Sequence, residues 1–239
     1  KIKSLIKIWP VLLSGLLFLS CTDEVEPVNK ENGEEKLTPY NLNLPDHVPD
    51  MDIPADNPLT REGVELGRVL FYDPSLDSAG RQSCAGSCHA PENSFTSQKA
   101  DLPVINLGWM ENFLWKGNVQ GELEDIMTLE VSKRMKPDLS RLENNAYYAS
   151  AFKKVYNTDT ITHEVIGKAL AQFARTLNTF NSKYDRFLRG EASLTTSEFR
   201  GYNMFFSEEA DCFHCHGNVF LTDNQFHNNG LNATHEGED

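Results

Sequence analysis

The sequence predicts a mainly α-helical protein. Apolar side chains recur at helical spacing in three segments, and each segment begins behind a residue that can cap a helix. The signal for strands is poor throughout the 239 residues. The length allows one or two domains, and a hydrophobic content of 39% is enough to form a core.

Each predicted helix has its own start signal. Thr60 can cap the first helix and Thr162 the second, while Thr195 with Glu198 forms a capping box for the third. The apolar positions that follow are Val64, Gly67, Leu70 and Phe71 in the first helix, Val165, Ile166, Ala169, Leu170, Phe173 and Leu177 in the second, and Phe199, Tyr202 and Phe206 in the third. These periodic faces indicate core packing.

The charge balance is strongly acidic. The chain has 22 Lys and Arg against 35 Asp and Glu, for a formal net charge of −13. A nucleic-acid binder needs a surplus of basic side chains to meet the phosphate backbone, so no nucleic-acid partner is expected.

The first 20 residues have the pattern of an export signal, with three lysines, an apolar stretch and then Ser20 before Cys21. The order Leu17-Phe18-Leu19-Ser20-Cys21 resembles a bacterial lipoprotein signal, and a plain cleaved signal peptide is the alternative. We therefore expect a periplasmic protein, anchored to a membrane only through a lipid on Cys21. Residues 21–55 are predicted to form a disordered and proline-rich linker, without a helix before Leu59.

The other four cysteines form two closely spaced pairs, each followed at once by histidine. Cys212, Cys215 and His216 have the standard spacing of a c-type haem attachment site, in which each thiol adds to a vinyl group and the imidazole binds the iron. A disulfide or half of a zinc site is the alternative, although a zinc ribbon would need its second pair within about twenty residues. His214, between the two cysteines, is expected to be a surface residue.

Cys84, Cys88 and His89 form the second such motif, with three residues instead of two between the cysteines. The backbone must bulge to bring both sulfurs to the porphyrin, and Gly86 suits that bulge. The alternatives are a haem held by one thioether, or a disulfide without haem. Gly67 to Phe71 precedes this motif as Gly201 to Phe205 precedes the other, each on a predicted helix, which favours an internal duplication.

Eight segments of the chain resemble the bacterial dihaem cytochrome c peroxidases. They are residues 57–74, 83–89, 94–96, 103–109, 113–115, 168–177, 181–185 and 210–217. The resemblance implies two cytochrome c-like haem domains, at residues 56–184 and 185–239. The second domain is expected to be incomplete, because the methionine ligand of the family lies far beyond the second motif.

The resemblance also implies a periplasmic enzyme that reduces hydrogen peroxide to water at the haem on His89. Electrons would enter at the haem on His216 from a cytochrome c, a cupredoxin or a quinol. Trp115 occupies the position of the tryptophan that lies between the haems, with an ordinary buried indole as the alternative. Glu130 is our candidate for the catalytic glutamate, and Glu124 is the runner-up.

Other family features are expected only in part. The family binds calcium near the position of Asp101, and dimers are common in it. It often has a distal histidine after the first motif, but none occurs between His89 and His163. We therefore expect a high-spin first haem, unless Met110, Met127 or a tyrosine binds the iron.

Two rival functions remain for the chain. One is a related dihaem oxidase, which acts on a protein or an organic substrate. The other is an electron-transfer cytochrome without its own chemistry.

Overall fold

A computed structural model describes residues 30–31, 34–96 and 102–228 of the chain. The export signal, Cys21 and Asp101 lie outside these residues. Two compact units are present, residues 1–36 and residues 37–239. In the first unit, β1 (Lys30–Glu31) pairs antiparallel with β2 (Glu34–Glu35).

The second unit is mainly helical, as predicted. Its helices are α1 (Arg61–Tyr72), α2 (Leu123–Leu129), α3 (Leu139–Glu143), α4 (Ala146–Tyr156), α5 (His163–Ala174), α6 (Lys183–Leu188), α7 (Thr196–Phe205) and α8 (Phe213–His216). Its strands in the described part are the short antiparallel pair β3 (Asn112–Phe113) and β4 (Val119–Gln120). Within the same residues, no helix is both long and apolar enough to cross a membrane.

The predicted caps are confirmed. The side chains of Thr60, Thr162 and Thr195 accept backbone N–H groups at the starts of α1, α5 and α7, and the capping box of Thr195 with Glu198 is complete. In the described residues before Arg61 there is no helix, as the prolines require. This extended segment is joined to the start of α1, because Arg61 donates to the carbonyl of Thr38 at 2.8 Å.

The core forms where α1 and α2 pack against α5. Glycines allow these helices to approach closely. A Cβ on Gly67 of α1 would lie 2.0 Å from the carbonyl oxygen of Ala169, and one on Gly167 of α5 would lie 2.3 Å from Oγ1 of Thr128. The backbones could not lie so near with a larger side chain at either position.

A polar network fills the middle of this core. Asn57, Gln172 and Tyr156 bond to one another over 2.9 to 3.3 Å, and Asn57 also donates to Glu124 at 2.6 Å. Glu124 in turn accepts two hydrogen bonds from the guanidinium of Arg175, at 2.6 and 2.8 Å. The network joins the segment before α1 to α2, α4 and α5, and so fixes the scaffold on which the first cysteine motif is placed.

Two candidate haem-attachment sites

The first cysteine motif follows α1 and forms a single wide turn. Residues Cys84–Cys88 form a π-helical turn, which closes with a hydrogen bond of 2.8 Å from the amide of His89 to the carbonyl of Cys84. Ser83 caps this turn by accepting the amide of Gly86 at 2.9 Å. A π-helical turn holds one residue more than an α-helical turn, so it accommodates the three-residue spacer.

The second motif forms an ordinary α-helical turn, in which the amide of His216 donates to the carbonyl of Cys212 at 3.0 Å. In both motifs, therefore, the histidine amide bonds to the carbonyl of the first cysteine. The bulge expected around Gly86 is this wider turn, and it gives His89 the same relation to Cys84 that His216 has to Cys212.

Both histidines are held through the same ring atom. Nδ1 of His89 donates to the carbonyl oxygen of Phe95 at 3.0 Å, and Nδ1 of His216 donates to that of Leu221 at 2.6 Å. This bond places the proton on Nδ1 and the lone pair on Nε2, as in histidines that bind a metal. The two residues therefore suit the role of iron ligands.

The two accepting residues share a rare backbone conformation. The φ angles of Phe95 and Leu221 are 58° and 54°, in the left-handed region that bulky side chains seldom adopt. Such a conformation costs roughly 1 to 3 kcal/mol and clusters at functional sites. Its recurrence at the residue that accepts the histidine bond, six residues after His89 and five after His216, connects the strain with the orientation of the histidines.

The internal duplication predicted from the sequence appears in the packing. Phe71 of α1 lies with its ring centroid 6.4 Å from that of His89, and Phe205 of α7 lies 6.4 Å from His216. Each motif is thus placed beside the last turns of the helix before it. The predicted boundary between the two haem domains at residue 185 stays a prediction.

The cysteines are thiols rather than disulfides in the structure. Burial and, to a smaller extent, the negative charge of Glu130 together raise the pKa of the Cys84 thiol to about 12. Glu130 lies at the start of a π-helical turn, Glu130–Met135, that continues α2. Its carboxylate is 3.1 Å from Nε of Arg134.

Glu124 does not share this environment. Its side chain is 11% exposed and that of Arg175 only 3%, and the two form a bidentate ion pair in the core. Burial raises the pKa of Glu124, but the hydrogen bonds and charge of Arg175 lower it more, so that it stays below the usual value. Glu124 is therefore held in the core by Arg175, and the catalytic role of Glu130 stays a prediction.

Trp115 lies on the loop between β3 and β4 and is 77% exposed. The alternative of an ordinary buried indole is wrong for the described chain. Phe226, which follows the second motif, covers the same loop at Gly117, where a Cβ would lie 1.8 Å from the phenyl ring. The loop of Trp115 thus contacts the segment that follows His216.

An apolar cavity of about 270 Å³ lies beside α7, and it includes Leu221, whose carbonyl accepts the hydrogen bond of His216. Aromatic side chains of α7 line it, among them Tyr202 and Phe205, together with Leu221. His214 points elsewhere, since it is 54% exposed and pairs with Asp211, which confirms that it is a surface residue. An apolar wall beside an oriented imidazole fits a porphyrin face.

Comparison with known proteins decides the family. The sequence model described as di-haem cytochrome c peroxidase matches residues 61–193, more than half of the chain. The chain belongs to the di-haem cytochrome c peroxidase family. It is 31% identical over 207 residues to the methylamine utilization protein MauG of Methylophilus methylotrophus, covering 78% of this chain and 61% of that protein. It is 30% identical over 214 residues to the cytochrome c peroxidase Ccp of Escherichia coli, covering 80% of this chain and 45% of that protein.

Among solved structures, a MauG-like protein associated with microbial copper homeostasis is 32% identical, with a TM-score of 0.69, over 77% of this chain and 60% of that one. The diheme peroxidase BthA of Burkholderia thailandensis matches in fold, with a TM-score of 0.55 at 17% identity, over 75% of this chain and 52% of that one. The chain spans about 60% of the length of the first of these relatives.

A di-haem cytochrome c peroxidase contains haem c, so the family predicts these cofactors for the chain. The residues present fit them, because each motif combines two thiols with a histidine whose Nδ1 is already bonded to a carbonyl. The carbonyls of Phe95 and Leu221 are the functional groups that sequence reasoning missed. Calcium stays a prediction, since Asp101, near which the family binds it, lies outside the described residues.

Proposed function

We propose that the chain is part of a dihaem c-type peroxidase that reduces hydrogen peroxide to water. Cys84, Cys88 and His89 would hold the peroxidatic haem, and Cys212, Cys215 and His216 would hold the haem that receives electrons. The observation that carries the proposal is the matching bond of His89 to Phe95 and of His216 to Leu221. When bound, the haems would supply the iron at which peroxide is reduced and would pass on the electrons of the donor.

The chain itself must move a proton. Breaking the O–O bond with water as the leaving group requires a proton to pass from the inner to the outer oxygen of peroxide. Glu130 is the residue proposed for this transfer, because its charge acts on Cys84 and its side chain is only 30% exposed. Its carboxylate also pairs with Arg134, which restricts where the side chain can lie.

Trp115 is proposed to lie on the electron path between the two haems. Its loop contacts the segment after the second motif through Gly117 and Phe226, which supports that position.

The electron donor is proposed to be a small cytochrome c, a cupredoxin or a quinol in the periplasm. A lipid on Cys21 would be the link to the membrane, and a homodimer is a further proposal.

A related dihaem oxidase, acting on a protein or an organic substrate, is the second candidate. It is favoured by the likeness to MauG at 31% identity and to the MauG-like structure at 32%. Both candidates require the same two haems, so they differ only in what is oxidised.

The deciding experiment begins with holoprotein made together with cytochrome-maturation machinery. Mass spectrometry should find two covalently bound haems, and a colourless preparation without a Soret band would contradict both candidates. The reduced protein is then mixed with peroxide. Rapid reoxidation that cycles with a small donor supports the peroxidase, and reoxidation that leaves the donor unused favours the oxidase. Inert low-spin haems would instead indicate an electron-transfer cytochrome.

A further inference from the structure

Asn112 and Asn224 join two parts of the chain that are 112 residues apart. Asn112 donates its backbone N–H to Oδ1 of Asn224 at 3.0 Å and its side-chain amide to the carbonyl of Asn224 at 2.8 Å. Asn224 returns a hydrogen bond from Nδ2 to the carbonyl of Asn112 at 3.3 Å. The amide of Glu111 also donates to Oδ1 of Asn224, at 2.9 Å. We call this pair the asparagine clamp.

The clamp is the middle one of three contacts between the same two segments. On one side of it, the ring of Trp109 lies 4.9 Å from that of Phe220. On the other side, the ring of Phe226 covers Gly117, whose φ of 62° and lack of a side chain allow this approach. The segment after the second motif therefore lies along the loop at three successive points.

Trp115 lies between the second and third of these contacts. Since its indole is 77% exposed, packing around the ring does not determine where it lies. Its position follows from the backbone of the loop, which the clamp holds three residues earlier and Phe226 covers two residues later.

The other side of the clamp is continuous with the second motif. His216 donates to the carbonyl of Leu221, and the side chain of Asn218 accepts the amides of Phe220 and Thr222 at 2.9 and 3.3 Å. Asn224 thus belongs to the same closely bonded turn as the histidine. Its φ of 52° is one that asparagine adopts more readily than most residues.

We infer that Asn112 and Asn224 are positioning residues, which hold the backbone of the Trp115 loop against the segment that follows His216 and so limit how far the indole can lie from the haem on that histidine. The inference rests on the proposed function, in which one electron leaves the second haem, oxidising it, and reduces the first haem. The two asparagines take no part in that transfer. They limit the separation across which the electron moves first.

The test compares two disruptive variants, Asn112→Ala and Asn224→Ala, with a conservative one. Asn224→Asp keeps the Oδ1 acceptor of the two backbone amides, but it replaces the 3.3 Å donor with a carboxylate oxygen that would repel the carbonyl of Asn112, so its effect should lie between those of the wild type and Asn224→Ala. Gln120→Ala is the matched control, because Gln120 lies opposite Asn112 in the β3–β4 pair but is exposed.

The first readout is the fluorescence lifetime of Trp115 in the holoprotein, obtained by subtracting the signal of Trp115→Phe. Energy transfer to a nearby haem shortens this lifetime steeply with proximity. We expect a longer lifetime in the two alanine variants, a smaller increase in Asn224→Asp and the wild-type value in Gln120→Ala. The second readout is the rate of electron transfer between the haems, which should fall in the two alanine variants and keep its wild-type value in Gln120→Ala.

The outcomes separate the inference from the proposed function. If the wild type binds no haem, Trp115 is unquenched in every protein and the proposed function fails. If the wild type is quenched and the alanine variants keep its lifetime and its electron-transfer rate, the clamp does not position Trp115 and the inference is wrong. A variant that only loses thermal stability, with both readouts unchanged below its melting temperature, also overturns the inference.

Discussion

Nδ1 of His89 lies 3.0 Å from the carbonyl oxygen of Phe95, and the same carbonyl accepts the amide of Val104 at 3.3 Å. One oxygen thus orients the proposed iron ligand and anchors the segment that leads to the Trp115 loop. The corresponding oxygen of Leu221 orients His216 within the turn that continues to Asn224. Each candidate haem site is therefore built from a cysteine motif together with a carbonyl a few residues downstream.

The wide turn at the first motif can be shortened. Deleting Ser87 gives the standard two-residue spacer, and the π-helical turn of Cys84–Cys88 should become an α-helical turn with His89 still bonded to the first cysteine. We expect mass spectrometry to find two haems per chain, as in the wild type. A variant that lacks both Cys84 and Cys88 should bind one haem, and loss of the first haem from the deletion variant would contradict the equivalence of the two turns.

Replacement of Glu130 tests its role in proton transfer. Glu130→Gln keeps the size of the side chain and removes its basicity, so steady-state peroxide reduction should fall by roughly 10²- to 10⁴-fold. The haem content and the Soret spectrum should stay the same. Glu92→Gln is the control, since Glu92 is exposed and lies three residues after His89. An equal loss of activity in both variants would count against Glu130.

The ion pair of Arg175 with Glu124 should matter for stability. Arg175→Leu leaves a buried carboxylate without its partner, and the free energy of unfolding should fall by about 3 to 5 kcal/mol. Arg68→Leu removes an exposed ion pair with Glu65, and should change the free energy of unfolding by only about 0 to 1 kcal/mol. Urea denaturation of the two holoproteins measures the difference. A change of less than 1 kcal/mol for Arg175→Leu would show that the core pair is not stabilising.

The same pair should make stability depend on pH. Because the pKa of Glu124 in the folded protein lies below its ordinary value of 4.5, the ionised carboxylate contributes fully above that pH. The contribution is lost as the pH falls through the lower folded pKa. The difference in unfolding free energy between wild type and Glu124→Gln should therefore be constant near neutral pH and shrink in acid. A difference that grows below pH 4.5 would contradict the direction of this shift.

Gly67 and Gly201 lie at corresponding places in the internal repeat. Replacing them by alanine should change the stability of the protein in opposite directions. Gly67→Ala would bring a methyl group to within 2.0 Å of the carbonyl oxygen of Ala169, and should cost about 1 to 3 kcal/mol of stability. At Gly201 nothing lies within 4 Å of the new Cβ, so Gly201→Ala should stabilise α7 by about 0.5 to 1 kcal/mol. Thermal unfolding of both variants checks the sign, and a neutral Gly67→Ala would show that α1 and α5 can move apart.

Much of the helical architecture was predictable, because the signals that determine it act over a few residues. Thr60, Thr162 and Thr195 begin the three expected helices, since a cap bonds to an amide only two or three residues away. Both cysteine motifs are equally local. The resemblance of Gly67–Phe71 to Gly201–Phe205 was visible as letters, and it is confirmed by the equal spacing of Phe71 and Phe205 from their histidines.

The amino-acid sequence by itself therefore determined the fold class, the caps and the two thiol and histidine sets. The tertiary structure decided which glutamate is structural, since Arg175 meets Glu124 across 51 residues of chain. It also decided the contact of Asn112 with Asn224 across 112 residues. It decided, too, which carbonyl oxygens accept hydrogen bonds from His89 and His216. Such pairings depend on how the helices pack and where the loops return, and a pattern that repeats every three or four residues does not contain that information.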